Sequence, residues 1–255
     1  MSLSIYNTKQ ESGKAAAEFG AAKIRQAIAE NGECRIIVAT GASQFEMLTA
    51  LAAAPGIDWG KVTLFHLDEY VGLPESHPAS FRKYIKERFV AQLPAPLKAA
   101  NYVEGDAADL PAFCKKLGEL LQEKPIDVCF IGIGENGHIA FNDPPADFDT
   151  EEPYLIVKLD DVCRKQQLGE GWFPTFDDVP KEAVSMSVRQ ILKSKTIVNT
   201  VPDARKAYAV RITFEGELCP AHPASVIRLH PDCATFCDKE AAQELSKLTR
   251  EFCAK

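Results

Sequence analysis

The sequence predicts an α/β fold, in which one mostly parallel sheet carries helices on both faces as three layers. Three observations predict it. Short apolar, β-branched runs alternate with amphipathic helical patterns almost from end to end. The runs are apolar throughout, as in strands covered on both faces. No repeat, low-complexity tract or linker interrupts the pattern, so residues 1–255 read as a single domain.

Residues 11–30 place Ala16, Phe19, Ala22, Ala27 and Ile28 mainly on one helical face, and Asn31-Gly32 follows as a stop signal. The continuous apolar run 34–40 predicts a strand, followed by a helix near 43–53 and a strand over 62–67. A helix near 79–91 carries Phe81, Tyr84, Ile85, Arg88 and Phe89 on one side. A helix over 107–122 and a strand over 126–131 come next. The pattern resumes with a strand over 154–159 and an irregular stretch over 169–174. Strands near 184–188 and 195–201, a helix from 203 to about 214, a strand over 233–237 and a terminal helix from 239 complete the reading.

Composition narrows the function. With 255 residues, 46% hydrophobic and 25% charged, the chain supports a buried core and is not disordered. No apolar run approaches the roughly 20 residues of a membrane-spanning helix. The net charge of −7, with no basic stripe, argues against nucleic acid as a partner. The opening residues lack the basic and then apolar regions of a secretory signal. Eight cysteines, with no C-x-x-C pair and mostly apolar neighbours, read as reduced structural thiols of a cytoplasmic protein. They do not cluster with histidines at ligand spacing, so no metal site is expected. A soluble enzyme or small-ligand binder remains.

Ligands of such sheets bind beyond the carboxyl ends of the strands. The first of these ends is Thr40-Gly41-Ala42-Ser43-Gln44, where a strand runs directly into a helix. Gly41 permits tight backbone geometry, and Ser43 with Glu46 fits a capping box. Free amides at a helix start also suit a phosphate. The second end is Asp68-Glu69. Side chains alternate along an extended chain, so these two carboxylates point in opposite directions, one toward a ligand and one toward a structural hydrogen bond. A partly desolvated carboxylate there moves protons near neutral pH.

The third end is Gly132-Ile133-Gly134-Glu135-Asn136-Gly137-His138, followed by Ile139-Ala140-Phe141-Asn142-Asp143-Pro144-Pro145. It satisfies G-x-G-x-x-G, but a dinucleotide site needs a helix to open from the loop, and the two prolines prevent one. The glycines instead bring His138 and Asp143 into one cleft. Of five histidines, His138 alone sits among turn glycines after a core strand, as a general acid/base would.

Thr40–Ser43, Leu67-Asp68-Glu69-Tyr70-Val71-Gly72-Leu73 and the stretch from Gly132 to Pro144 resemble, in order and spacing, the motifs of the glucosamine-6-phosphate deaminase family. That family shares a Rossmann-like superfamily with the 6-phosphogluconolactonases. The resemblance covers nearly the whole chain and implies conversion of an amino-hexose 6-phosphate to a ketose 6-phosphate and ammonia, with no cofactor. It makes Asp68 the base between C2 and C1 of the open-chain sugar, and His138 the group that assists ring opening, supported by Asp143. It places the phosphate on residues 40–44 and on Lys206. Glu69 and Gly134 complete the substrate-binding candidates. Lactonase relatives follow the glycine–histidine loop with small residues and a Leu-Phe-Pro segment, so Phe141–Pro144 lies on the deaminase side.

Three departures stand out. Asn136 replaces the family's aspartate; an amide orients an imidazole but adds no charge beside its cation. Asp143 replaces a longer glutamate. The family's phosphate-binding arginine precedes a Phe-Phe pair, whereas Glu170-Gly171-Trp172-Phe173 stands here, leaving Arg164, Lys165 and Arg205 as substitutes. The loop over residues 163–174 thus reads as a different substrate wall, and residues 70–80, with a glycine and two prolines, as a lid. A non-catalytic sugar-phosphate sensor and a lactonase are the competing readings. The sequence leaves the subunit number open, a homo-oligomer included.

Overall fold

A computed structural model describes residues 1–253. In chain order the elements are β1 (Ser2–Tyr6), α1 (Lys9–Asn31), β2 (Cys34–Val38), α2 (Phe45–Ala52), β3 (Val62–His66), β4 (Asp68–Tyr70), α3 (Phe81–Arg88) and β5 (Ala99–Asn101). They continue with α4 (Leu110–Gln122), β6 (Val128–Ile131), β7 (Tyr154–Lys158), α5 (Asp161–Gly169) and β8 (Glu182–Met186). The last are α6 (Val188–Leu192), β9 (Thr196–Val201), α7 (Ala207–Glu215), β10 (Cys233–Asp238) and α8 (Lys247–Cys253).

Seven strands form one sheet in the order β1-β10-β9-β6-β2-β3-β5, and every pairing in it is parallel. Strand residues alternate between two cores, as the pleat requires. Ile36, Val38, Val128 and Phe130 pack with Ala16 and Ile24 of α1, Leu48 of α2 and Ile85 of α3. Ile37, Cys129 and Ile131 face the other way, onto Leu117 of α4, Ile191 of α6 and Val210 of α7. The three predicted layers are therefore present.

The chain runs outward through β2, β3 and β5, then returns to lay β6 on the other side of β2. Strand order reverses between β2 and β6. Such a reversal parts the loops leaving the two strands and opens a crevice at their carboxyl ends.

Four expectations are corrected. The strands at 154–159 and 184–188 do not join the main sheet; β4, β8 and β7 make a separate antiparallel sheet of three. The alternating burial of β7, with Ile156 exposed, is the mark of a strand with one wet face. Residues 161–169 are helical because Asp160 caps them, its side chain accepting from the N–H of Cys163. The terminal helix begins at Lys247, after turns over 239–244, and not at 239. Ser43 caps nothing: α2 starts at Phe45 without a side-chain cap, and Glu46 pairs with Lys9 at 3.4 Å. β1, β4 and β5 were not anticipated, being only three to five residues long. Six of the eight cysteines are buried, and no helix among the described residues is long and apolar enough to cross a membrane.

Candidate active site

A cleft opens at the strand reversal. Its walls include Thr40, Gly41, Ser43, Asp68, Gly134, His138 and Lys206, drawn from the ends of β2, β3, β6 and β9. Segments up to 166 residues apart in the chain thus meet at one rim.

At the end of β2 the backbone turns through Gly41, whose φ of 98° lies in the region that favours glycine. The Gly41 carbonyl accepts from the Tyr84 hydroxyl at 2.9 Å. The Gln44 amide nitrogen donates to Ser43 Oγ at 3.0 Å and to the Thr200 carbonyl at 3.2 Å. Gln44 is fully buried and Ala42 does not line the cleft, so neither is a direct ligand group of its side chain. Gln44 instead ties Ser43 to the end of β9. Just past β9, Lys206 is buried yet lines the cleft, and among the described residues its ammonium has no hydrogen bond or ion pair. Burial pushes its pKa down, offset in part by the charges of Glu170 and Glu135.

The two carboxylates after β3 part as the alternation predicts. Glu69 is fully buried and accepts from the Ser80 hydroxyl and from the N–H groups of Phe81 and Arg82. It therefore serves the start of α3 and does not line the cleft, which corrects its place among the substrate-binding candidates. Asp68 does line the cleft, and its Oδ1 is buried with no hydrogen-bond partner among the described residues. Burial first, and then the charge of Glu69, push its pKa up to about 8. A proton acceptor poised near neutral pH results.

His138 lines the same cleft, fixed by the glycine loop. The N–H of Gly134 donates to the His138 carbonyl at 2.9 Å, and a methyl group on Gly134 would fall 2.2 Å from the imidazole ring. His138 Nδ1 lies 3.0 Å from Asp143 Oδ1. Burial raises the Asp143 pKa, but the imidazole, the Asn136 amide and the Asp160 N–H more than offset it, so the carboxyl sits below its ordinary value. Asn136 and Asp143 do not line the cleft but contact His138, at its backbone N–H and its ring. The shorter Asp143 still reaches the ring.

The substrate wall comes from α5. Gln166, Gln167 and Glu170 line the cleft. The Tyr70 hydroxyl donates to Gln167 Oε1 at 2.6 Å, and Glu170 accepts from Gln166 at 3.1 Å and from the Trp172 indole at 3.3 Å. All three fall in the 163–174 stretch that the sequence reads as a wall, but none was singled out within it, because a solvent-facing loop and a helical wall read alike in this stretch. Of the substitutes for the missing arginine, Arg164 is buried and donates to the Phe176 and Val179 carbonyls. Lys165 is exposed and does not line the cleft. Arg205 is held by Asp203 at 3.2 Å, with Glu135 at 3.8 Å. Residues 70–80 form no wall: Tyr70 is buried, and Ser80 is held by Glu69.

Among the described residues one cluster has metal-ligand chemistry. The donor atoms of His138, Asp143 and Cys163 lie within 4.8 Å of one another. Burial, then the charges of Asp143 and Asp160, keep the Cys163 thiol protonated well above its ordinary pKa. Asp143 is already engaged by the imidazole, the Asn136 amide and the Asp160 N–H, and the cluster reads as the back of the histidine pocket.

The profile of the glucosamine-6-phosphate isomerases/6-phosphogluconolactonase family matches residues 7–236. A glucosamine-6-phosphate deaminase of Streptococcus sanguinis is 35% identical over 91% of this chain and 93% of its own. The solved structure of a monomeric glucosamine-6-phosphate deaminase superposes with a TM-score of 0.87, at 31% identity, over 96% of this chain and 100% of that one. A 6-phosphogluconolactonase of Shewanella baltica shares the fold, with a TM-score of 0.75 over 93% of this chain and 97% of its own, at 17% identity.

Proposed function

The chain belongs to the glucosamine-6-phosphate isomerase/6-phosphogluconolactonase family, and we propose that its cleft converts glucosamine 6-phosphate to fructose 6-phosphate and ammonia. The observation that carries this reading is the pairing, across one cleft, of an unpartnered buried carboxyl at Asp68 with the His138–Asp143 pair.

The backbone amides of residues 40–44, the Ser43 hydroxyl and the Lys206 ammonium hold the phosphate. An acidic protein needs such a local grip. His138 moves a proton between the ring oxygen and the C1 hydroxyl, which opens the pyranose, while Asp143 carries the charge that develops on the imidazole. Asp68 takes the proton from C2 and returns it to C1 while an amine proton passes to O1, so the 2-amino aldose becomes the 2-imine of the ketose. Water then adds to C2, and ammonia leaves as the ketone forms. The steps call only on proton transfers and one water molecule. A lactonase has no carbon-bound proton to move between neighbouring carbons, so a carboxyl poised as Asp68 is suits the isomerisation.

An ammonia-release assay with a separate ketose readout tests the reading. Glucosamine 6-phosphate should give both products in equal amounts, and Asp68→Asn should abolish both while holding ligand affinity within about tenfold. Hydrolysis of 6-phosphogluconolactone without ammonia release from the amino sugar would select the lactonase. Tight binding of the amino sugar with neither reaction would select the sensor.

A further inference from the structure

Asp160 lies outside the cleft lining, yet it holds three separate groups. Its Oδ1 accepts from the Cys163 N–H at 2.5 Å and caps α5. Its Oδ2 accepts from the Asn136 amide at 3.3 Å. Its own N–H donates to Asp143 Oδ2 at 3.1 Å.

Asn136 closes the network. Its amide nitrogen also donates to Asp143 Oδ1 at 3.0 Å, the same oxygen that meets His138 Nδ1. Its Oδ1 accepts from the His138 N–H at 3.0 Å. One amide therefore donates to two carboxylates while orienting the histidine backbone. An aspartate at this position has no proton to offer either of them and would set three carboxylates together. A second tie runs from the middle of α5, where Gln166 Oε1 accepts from the Glu135 N–H at 2.8 Å.

We propose that Asp160 is a positioning residue of the proton-transfer site: acting through Asn136 and Asp143, it fixes the His138 imidazole and locks it to the α5 wall. This rests on the deaminase reading. In this chain the carboxylate missing at 136 is supplied from the start of a neighbouring helix, with the amide as its coupling.

Asp160→Asn is the central test, since asparagine also caps helices and α5 keeps its start. The new side chain must choose between accepting from Cys163 and accepting from Asn136, and the ring opens. The turnover number should fall about 10- to 100-fold with KM within about threefold, because positioning is lost and binding is kept. Asp160→Ser, which also caps, should do the same. Asn136→Asp should be at least as damaging, and Asp160→Asn combined with Asn136→Asp should recover at least about fivefold over Asn136→Asp alone, since a donor again faces a carboxylate. Turnover of Asp160→Asn and Asp160→Ser within twofold of the parent, or a double variant no better than Asn136→Asp, overturns the proposal. NMR of the histidine rings gives a readout without substrate. The His138 resonances should move in Asp160→Asn, and those of His230, bound to the Ser194 carbonyl ahead of β9 and β10 at the strand ends opposite the cleft, should not. That shift in a parent protein that releases no ammonia would sink the deaminase reading and leave the positioning role standing; unmoved His138 resonances would sink the positioning role itself.

Discussion

Asp68 and Glu69 are adjacent carboxylates with opposite surroundings. Glu69 receives a hydroxyl and two backbone N–H groups at the start of α3, whereas Asp68 Oδ1 receives nothing and faces the cleft. The pleat turns them apart, and β4, pairing Asp68 with Ser185 and Glu69 with Val184, holds them so. Substituting each should therefore damage a different property. Glu69→Gln sets an amide NH₂ against N–H donors and should cost about 2 kcal/mol of stability. Thermal unfolding should show this as a Tm lower by roughly 4–8 °C. Asp68→Asn should leave Tm near the parent value at pH 5 and remove turnover.

The same carboxyl makes stability and activity depend on pH in opposite senses. Its pKa stands at about 8 in the folded protein against an ordinary 3.8, because burial and the charge of Glu69 disfavour ionisation. Between those values the folded state keeps the proton and the unfolded chain has released it, so stability falls as pH rises, by up to about 1.4 kcal/mol per pH unit. Asp68→Asn removes this slope. Its Tm should gain on the parent's as pH climbs from 5 to 8.5, and a constant gap would show that Asp68 does not titrate there. In the parent, kcat/KM should rise through the same region as the base form appears.

Much of this site was readable before any coordinates. Turn glycines after apolar strands announce where a parallel sheet presents its loops, and Thr40, Asp68, His138 and Lys206 do meet there. What escaped depended on partners distant in the chain. Glu69 looked as available as Asp68 until α3 folded over it. Gln44 acts by reaching Thr200, 156 residues away. Ser43 and Glu46 have capping-box spacing, but a tight turn ahead of Phe45 moves the helix start past Ser43. Within the expected 163–174 wall, Glu170, Gln166 and Gln167 were not singled out because they are polar on both of their possible readings. Only the helix started by Asp160 turns them inward.

Glu170 and Lys206 bring opposite charges to one cleft, and Gly41 lies beside the carboxylate, a methyl on it falling 3.9 Å from Glu170 Oε2. A phosphate on the amides of residues 40–44 meets attraction from one and repulsion from the other. Lys206→Met should raise KM by about 100-fold, the loss of a charge-assisted contact in a desolvated site. Glu170→Gln keeps an acceptor for only one of Gln166 and Trp172 and removes the charge, and KM should fall by about threefold. The gain should shrink in high salt, where the field is screened. A Glu170→Gln enzyme with raised KM would mean that the carboxylate binds a cationic part of the substrate instead.

Gly134 tests how closely the imidazole must be held. Its backbone bonds the His138 carbonyl, and the ring fills the space where a side chain would begin, 2.2 Å from the nearest ring atoms. Alanine there cannot be accommodated by the backbone loop without moving the ring, since the loop is tied on its far side to Gln166 through Glu135. The ring must therefore leave the place where its Nδ1 meets Asp143 Oδ1. A displacement on the order of 1 Å costs about 100-fold in a proton transfer that needs contact geometry. Gly134→Ala should thus lose about 100-fold in kcat, with Tm lowered by only a few degrees, because the clash is met at the cleft edge and not in either core. A substrate analogue already in the open-chain form bypasses ring opening. If His138 serves that step, the open-chain compound should recover most of the lost rate in Gly134→Ala and none in Asp68→Asn, and steady-state assays of both variants on the two substrates would read the difference directly.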